Sequence, residues 1–246
     1  MIDVRPVAHI LGWISALVGF LLMMPAFADL IVQNRDWIPF AMSGALAGFI
    51  GLALILSTLS SRSLTLDIRQ AFLATILGWL AVSVLGAIPF LSLSIAPVDA
   101  LFEAVSGVTT TGSTVLVGLD TMPPGILLWR GILQWIGGIG IIAVAVLILP
   151  LLRVGGMQLF KIESSDISPE KVASVLKTIV TLLSVYVALT ALCAILYYAF
   201  GMNGFDAITH AMSTLSTGGY STHDASFAYF TDLRLHWVAT IFMVLG

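Results

Sequence analysis

Charged residues are scarce in this sequence and unevenly spread. Of 246 residues, 10 are Lys or Arg and 13 are Asp or Glu, so charged residues make up 9% of the chain, against roughly 25% in a soluble domain. Crossing a bilayer takes about 20 apolar residues, and five uncharged stretches satisfy this: 6–28, 37–61, 70–98, 131–152 and 178–205. The pattern excludes a soluble globular enzyme and a disordered or nucleic-acid-binding chain, and it predicts a polytopic protein embedded in a lipid bilayer.

Cysteine is nearly absent as well. Cys193 is the single cysteine and lies inside an apolar stretch, which excludes a disulfide framework and a cysteine-ligated metal. The residues AFA at 26–28 imitate a signal-peptide cleavage site. The apolar stretch 7–24 before them, however, exceeds the usual 7–15 residues of a signal peptide. We therefore expect a retained membrane helix at the start of the chain.

Charge gaps, together with Pro and Gly positions, predict where the membrane helices lie. Full-length helices are expected near 7–28, 38–59, 70–91, 125–152 and 173–199, and another begins near 235. The stretches 92–124 and 201–234 have too short an apolar run for a span and too little polarity for an ordinary loop. Each contains a short helix-compatible segment followed by a Thr/Ser/Gly cluster, so we expect each to dip into the membrane and leave on the same side.

The basic residues indicate the orientation of these helices. Seven fall on one side of the membrane and three on the other. The positive-inside rule therefore places the N-terminus and the loops 60–70 and 153–177 in the cytoplasm, with both unusual stretches outside. The inner set is Arg5, Arg62, Arg69, Arg153, Lys161, Lys171 and Lys177, and the outer set is Arg35, Arg130 and Arg234.

An internal repeat relates the two unusual stretches. A shift of 107 residues without gaps superimposes six identical residues within the segment 99–114. The same shift aligns the helix at 70–91 with 177–198, so the repeat unit is helix, short helix, Gly-containing loop, helix. The identical pairs are Asp99/Asp206, Ala100/Ala207, Ala104/Ala211, Ser106/Ser213, Thr110/Thr217 and Gly112/Gly219.

The loops 109–114 and 216–221 have the chemistry of a monovalent-cation site. Asp99 and Asp206 lie at the N-terminal ends of the short helices, where a carboxylate caps free N–H groups. The C-terminal ends then direct partial negative charge and unpaired carbonyls toward the loops, which favours a cation. Gly112 and Gly219 can adopt positive φ, which a ladder of carbonyls needs, and such carbonyls replace the hydration shell of K⁺. The loops hold no acidic ring, which argues against a divalent cation.

Several motifs resemble the Trk/Ktr-type potassium uptake proteins, most closely the TrkH-like membrane subunits. The resemblance covers essentially the whole chain, and the combination of motifs is specific. The motifs are FEAVSGVTTTG at 102–112, LQWIGGIGII at 133–142, GGMQ at 155–158, FDAI at 205–208 and GGYSTHDA at 218–225.

The resemblance implies an all-α polytopic membrane protein with potassium-channel-like helix–pore-helix–filter–helix repeats and two extra N-terminal helices. In that family four repeats enclose one pore, so we expect extra helices at 1–64, a first repeat at 65–171, and a second repeat at 172–246 that is truncated in its last helix. The implied filter residues, which would bind the transported K⁺, are Thr110, Thr111, Gly112, Thr217, Gly218 and Gly219. Gly218 departs from the first repeat by replacing Thr111, which leaves fewer hydroxyls on that side.

The resemblance also implies a location and partners. It indicates K⁺ uptake across the bacterial cytoplasmic membrane by a chain that is not an enzyme and binds no organic cofactor or nucleic acid. Members of the family pair as dimers and bind a cytosolic TrkA-like nucleotide-binding ring subunit, and such a contact would fall on the loop 153–177. Ser168, Pro169 and Glu170 are typical of a helix start at the end of that loop.

Other residues favour supporting functions. The glycines at 137, 138 and 140 favour close packing behind the filter over a phosphate-binding loop, because no strand precedes them. Glu103 and His210 align in the repeat, and we expect them to support the filter from behind. For Arg130 we expect anchoring at the membrane interface by snorkelling, with tuning of outer-mouth electrostatics as the alternative. His223 and Asp224 are expected to close the outer loop.

Two other classes of function remain as alternatives. A secondary transporter of a small solute would use broken helices at the bilayer midplane, usually in inverted repeats, whereas the repeats here run in the same direction. An intramembrane hydrolase would need a nucleophile with a base or a zinc site. The sequence contains no G-x-S-x-G or H-E-x-x-H motif and no paired intramembrane Asp.

Overall fold

The computed structural model describes residues 3–59, 67–152 and 169–246, and this part of the chain is helical without strands. Its α-helices are α1 (Arg5–Leu21), α2 (Met23–Ile31), α3 (Trp37–Thr58), α4 (Ile68–Ala87), α5 (Pro97–Val108), α6 (Pro124–Leu152), α7 (Pro169–Ala199), α8 (Gly204–Leu215) and α9 (Leu233–Leu245). Short 3₁₀ helices lie at Ile88–Leu93, Leu119–Thr121 and Ser226–Tyr229.

Within the described residues, five helical segments are long and apolar enough to cross a membrane, which confirms the predicted polytopic all-α architecture. A sixth, Leu233–Leu245, is apolar but shorter. The five segments are Arg5–Ile31, Trp37–Thr58, Ile68–Leu93, Pro124–Ile142 and Lys177–Ala199.

The first predicted helix, at 7–28, is interrupted, which corrects the expectation of one continuous helix. α1 ends at Leu21 and α2 begins at Met23. The cause is Pro25, four residues after Leu21, because proline has no N–H to donate to that carbonyl. The two parts still form one span, since Leu22 N–H donates to the Val18 carbonyl at 3.0 Å.

Small residues bring α1 and α3 into close contact. A Cβ atom at Gly19 would lie 2.7 Å from the backbone nitrogen of Gly48, and one at Gly51 would lie 2.5 Å from that of Ala16. Glycine is therefore required for the backbones to approach this closely, which is the usual way that membrane helices associate. These extra N-terminal helices form a tight pair beside the first repeat.

α2, the second part of the first extra helix, also stabilises the start of α6. Asp29 in α2 is fully buried, and its carboxylate accepts a hydrogen bond of 2.7 Å from the backbone N–H of Gly125, in the first turn of α6. The first N–H groups of a helix have no partner within the helix. Asp29 therefore caps α6 from a different helix.

α6 lies between two hydrophobic cores. One core joins the extra helices to α4, α5 and α6 and includes Phe40, Trp129 and Leu133. The other joins α7, α8 and α9 and includes Tyr197 and Phe242. The first half of α6 therefore holds the two repeats together.

Some predictions fall outside the described residues. Parts of the predicted cytoplasmic loops 60–70 and 153–177 lie there, at 60–66 and 153–168. Three of the seven basic residues predicted on the inner side, Arg62, Arg153 and Lys161, lie there too, as does Ser168 of the predicted helix start. The domain boundary predicted at 64–65 also lies there, and the one at 171–172 falls in the first turn of α7. The domain division stays a prediction.

Candidate functional site

The two short helices before the predicted filter loops match in length and position. α5 spans Pro97–Val108 and α8 spans Gly204–Leu215, 12 residues each, and both bounds are related by the shift of 107. A helix of 12 residues is too short to cross a bilayer on its own. The repeat predicted from sequence is therefore present in the backbone.

The N-terminal caps of these helices differ from the prediction. The side chain of Asn203, not of Asp206, caps α8 by accepting the N–H of Asp206 at 2.8 Å. α5 begins at Pro97 without a side-chain cap, and Asp99 lies in its first turn. Proline at N1 has no N–H that needs a partner, so the missing cap costs little. Asp206 instead accepts the hydroxyl of Thr222 at 2.6 Å.

The loops after the short helices share an unusual backbone. Thr110 and Gly112 have φ of 56° and 79°, and their counterparts Thr217 and Gly219 have φ of 52° and 86°. Left-handed backbone is strained for a β-branched residue and costs glycine nothing. Two left-handed residues at a spacing of two, repeated 107 positions later, define one loop geometry built twice.

The amide hydrogens of these loops turn back toward the helices. Thr110 N–H donates to the Gly107 carbonyl and Thr111 N–H donates to the Ser106 carbonyl, both at 2.9 Å. The second repeat matches, since Thr217 N–H donates to Thr214 at 3.0 Å and Gly218 N–H donates to Ser213 at 2.9 Å.

These bonds correct one expectation and strengthen another. The carbonyls of Ser106 and Gly107, and their counterparts in the second repeat, are not unpaired, because the loops supply their donors. Loop N–H groups that are already bonded cannot form the anion-binding concavity that successive free N–H groups form. The arrangement therefore favours a cation over an anion.

The two loops meet at Gly112 and Gly218. A Cβ atom at Gly112 would collide with the carbonyl oxygen of Gly218, and one at Gly218 would collide with the side-chain amide of Gln134. The absence of a threonine at position 218 therefore has a steric cause. All six predicted filter residues lie in these adjacent loops, with Thr111, Thr217 and Gly219 exposed.

Glu103 and His210 support the loops from behind, as expected. Both carboxylate oxygens of buried Glu103 accept the Thr114 hydroxyl at 2.9 Å, and one also accepts the Val115 N–H at 3.2 Å. His210 Nε2 is 2.9 Å from the hydroxyl of Ser221, the residue equivalent to Thr114. Neither side chain lies among the predicted filter residues.

Arg130 is not an interfacial anchor. Its side chain is 1% exposed and forms an ion pair of 2.7 Å with Glu103. Its second nitrogen donates to the Ser221 carbonyl at 2.7 Å. The snorkelling interpretation is therefore wrong, because the guanidinium is held inside the protein between the two repeats.

Tyr220 and Gln134 are functional candidates that the sequence did not single out. The Tyr220 hydroxyl donates to the Glu103 carbonyl at 2.8 Å, and the Tyr220 N–H donates to the Gln134 side chain at 3.1 Å. Tyr220 directly follows the predicted filter residue Gly219, and that position was the available signal. The residues that Tyr220 contacts, Gln134 and Glu103, are remote in the sequence, so only the structure shows these contacts.

Glycines in α6 allow close packing behind the loops, as predicted. A Cβ atom at Gly137 would collide with the Val108 carbonyl oxygen, and one at Gly138 would lie 2.6 Å from the Tyr186 hydroxyl. The backbone of α6 therefore touches the end of α5 directly.

The outer loops of the two repeats are tied together above the site. Asp224 accepts the N–H groups of Gly118 and Leu119 at 2.9 and 3.1 Å. His223 contacts Asp120 through Nδ1 and Asp206 through Nε2. His223 and Asp224 therefore close the outer loop, as expected.

These contacts shift two pKa values. Burial alone would lower the pKa of His223, but hydrogen bonds to Asp120 and Asp206 raise it above its ordinary value. The hydrogen bond from His223 holds the pKa of Asp120 below its ordinary range. Because each ring nitrogen faces a carboxylate oxygen, the doubly protonated imidazolium satisfies both contacts.

The fold and the site define a class: a helical membrane protein in which repeated short helices are each followed by a strained loop. Residues 41–246 match the family described as TrkH, cation transport protein. The chain belongs to this TrkH family.

The chain is also similar in sequence to individual potassium uptake proteins. The Trk system potassium uptake proteins TrkH of Vibrio parahaemolyticus and of Escherichia coli K12 are 37% and 38% identical over 98% of this chain and 51% of theirs. The TrkI protein of Halomonas elongata is 36% identical.

A solved structure is similar throughout. The crystal structure of the potassium transporter TrkH from Vibrio parahaemolyticus matches with a TM-score of 0.87 and 33% identity, over 99% of this chain and 50% of that one. The chain therefore spans about half the length of the relatives it matches.

Proposed function

We propose that this chain contributes two filter loops to a potassium uptake pore. The carrying observation is the pair of closely similar loop backbones, left-handed at Thr110 and Gly112 and again at Thr217 and Gly219. Carbonyl oxygens replace the hydration shell of K⁺ in such filters. The six residues proposed to bind the ion are Thr110, Thr111, Gly112, Thr217, Gly218 and Gly219.

The charges around the loops support a monovalent cation. Both short helices end at the loops, and the C-terminal end of a helix carries about half a negative charge. Glu103 is neutralised by Arg130, so no free acidic charge from that pair reaches the loops. Helix ends and carbonyls without a free carboxylate suit K⁺ better than a divalent ion, which prefers charged oxygen ligands.

Two loops supply only part of the coordination of one ion. Since the chain spans about half of its relatives, we infer that further repeats in the complete protein supply the rest. The name of the relatives, Trk system, supports a multi-subunit assembly. We propose a dimer in the bacterial cytoplasmic membrane, with the N-terminus in the cytoplasm and a TrkA-like nucleotide-binding subunit at the loop 153–177.

The test uses the complete protein that contains this chain, expressed in bacteria without their own K⁺ uptake systems. Uptake of Rb⁺ and K⁺ is measured for the unchanged protein, Gly112→Ser and Gly118→Ser. Gly118 also has positive φ, 78°, but lies in the outer loop, so it controls for backbone strain alone.

We expect Gly112→Ser to reduce uptake or K⁺-over-Na⁺ selection at equal protein amounts, and Gly118→Ser to retain both. Equal behaviour of the two variants would overturn the filter assignment. Uptake of a small organic solute without K⁺ uptake would instead support the alternative of a secondary transporter.

A further inference from the structure

Arg130 is a buried side chain that connects the proposed filter loop of the first repeat with that of the second. It extends from α6, the closing helix of the first repeat, into a buried space between α5 and the loop after α8. A buried charge is costly unless it is paired and its remaining donors are used. The contacts of Arg130 meet this demand from two different repeats.

On one side Arg130 is linked to the first loop through Glu103. Nε of Arg130 lies 2.7 Å from Oε1 of Glu103, which is fully buried. The same carboxylate accepts the Thr114 hydroxyl and the Val115 N–H, immediately after the first filter segment. The ion pair therefore fixes the point at which the first loop leaves the filter.

On the other side Arg130 is linked to the second loop directly. Its second nitrogen donates to the Ser221 carbonyl at 2.7 Å, two residues after Gly219. The guanidinium carbon lies 4.1 Å from the centre of the Tyr220 ring, within the range of a cation–π contact. The position equivalent to Arg130 in the second repeat is Trp237, which is 62% exposed, so the arginine of the first repeat holds both loops.

Tyr220 closes the connection. Its hydroxyl donates to the Glu103 carbonyl at 2.8 Å and to the Ser113 carbonyl at 3.3 Å. The residue after the second filter segment is thereby attached to the pore helix and the loop of the first repeat. The spacing of the two loops depends on this cluster of Arg130, Glu103, Tyr220 and Ser221.

We propose that Arg130 is a positioning residue for ion selection, which sets the distance between the two filter loops through Glu103 and the Ser221 carbonyl. This inference rests on the proposed function. The planar guanidinium makes two directed contacts at once, whereas a lysine ammonium keeps the charge but not the fork geometry. Selectivity therefore depends on the shape of this side chain as well as on its charge.

The experiment compares the unchanged complete protein with Arg130→Lys and Tyr220→Phe. Competition of Na⁺ against Rb⁺ uptake is measured at equal amounts of membrane protein. Arg234→Lys is the matched control, because Arg234 is an exposed arginine paired with Asp232 near the start of α9. Loss of a hydrogen bond changes an equilibrium by about fivefold.

We expect Arg130→Lys to lower the discrimination between Rb⁺ and Na⁺ by about fivefold, Tyr220→Phe to lower it less, and Arg234→Lys to leave it unchanged. Unchanged discrimination in an assembled Arg130→Lys protein would overturn the proposal. If Arg130→Lys does not assemble, Tyr220→Phe decides the question, because it keeps the ring beneath the guanidinium. Unchanged discrimination between Rb⁺ and Na⁺ in Tyr220→Phe would then overturn the proposal.

The comparison with Gly112→Ser separates this inference from the proposed function. Suppose that Gly112→Ser alters the selection of K⁺ or Rb⁺ over Na⁺ while Arg130→Lys and Tyr220→Phe do not. The filter assignment is then supported, and only the positioning function of Arg130 is wrong. If none of the three alters selection, the filter assignment is wrong as well.

Discussion

Thr110 and Thr217 lie 107 positions apart and adopt the same left-handed backbone, with φ of 56° and 52°. Threonine is an unfavourable residue for this conformation, because its Cβ atom approaches the carbonyl oxygen too closely. The occurrence of this strain at equivalent positions indicates that the loop path is imposed by the surrounding structure. Strain of this kind concentrates at functional sites.

Relief of this strain should stabilise the protein. We expect Thr217→Gly to raise the free energy of unfolding by about 1 kcal/mol, since glycine adopts φ near 50° without steric cost. The matched variant Thr240→Gly, at an exposed position within α9, should lower it by about 0.5 kcal/mol. Denaturant unfolding of the purified complete protein measures both, and changes of the same sign would contradict the backbone assignment.

The two left-handed glycines should respond differently to alanine. A methyl group at Gly112 collides with the carbonyl oxygen of Gly218, whereas one at Gly219 meets open space. Gly112→Ala should therefore cost about 1–3 kcal/mol through overpacking in addition to backbone strain, and Gly219→Ala should cost strain alone. Protein amount and Rb⁺ uptake are the measurements, with the larger loss expected for Gly112→Ala. A larger loss for Gly219→Ala would show that the loops are arranged differently.

Asp29 should be important for the attachment of the extra helices. Its carboxylate is the cap of α6 at Gly125, and an unsatisfied buried N–H costs about 1–3 kcal/mol. We expect Asp29→Ala to lower the free energy of unfolding by this amount. Asp29→Asn should retain most of the stability of the unchanged protein, because the amide oxygen can still accept the hydrogen bond. Thermal unfolding in detergent distinguishes the variants. Equal losses for Ala and Asn would mean that charge, not capping, is the contribution of Asp29.

The outer loops should be most stable in weakly acidic solution. The raised pKa of His223 means that its contribution is complete below about pH 6.5, the unfolded value, and is lost as pH rises through the folded pKa. The lowered pKa of Asp120 gives a contribution that is present above about pH 4 and is lost as pH falls through the folded pKa.

Thermal unfolding followed from pH 4 to pH 9 tests this expectation. His223→Gln should remove the loss of stability on the alkaline side. His9→Gln serves as the control, because His9 lies near the start of α1 and contacts Thr58 rather than the outer loops. This variant should retain the alkaline loss of stability. An unchanged alkaline loss in His223→Gln would assign the pH dependence to another group.

Features set by local pattern were predictable. The charge-free stretches gave the membrane helices, because bilayer thickness fixes the length of an apolar span. The repeat placed both short helices and both loops, since equal segments with equal flanking helices adopt equal backbones. The repeat predicts positive φ at Gly112 and Gly219, because glycine adopts it freely, and both residues do so.

Features set by distant contacts were not predictable. Arg130 was expected at the membrane interface, because its partners Glu103 and Ser221 lie 27 and 91 residues away. Asp206 was expected to cap its helix, but Thr222 and His223 compete for its carboxylate. A single sequence does not show which remote groups will neutralise a polar side chain.

The amide hydrogens of the proposed filter loops, which turn back toward the helices, bear on how fast ions can pass. Because the N–H groups of Thr110, Thr111, Thr217 and Gly218 are already bonded to helix carbonyls, the loops keep their path without help from an ion. In the filter that we propose, an arriving cation would then find its oxygen ligands in place and would spend little of its binding free energy on ordering them. A preorganised site of this kind exchanges one ion for the next with little structural reorganisation, which rapid passage requires.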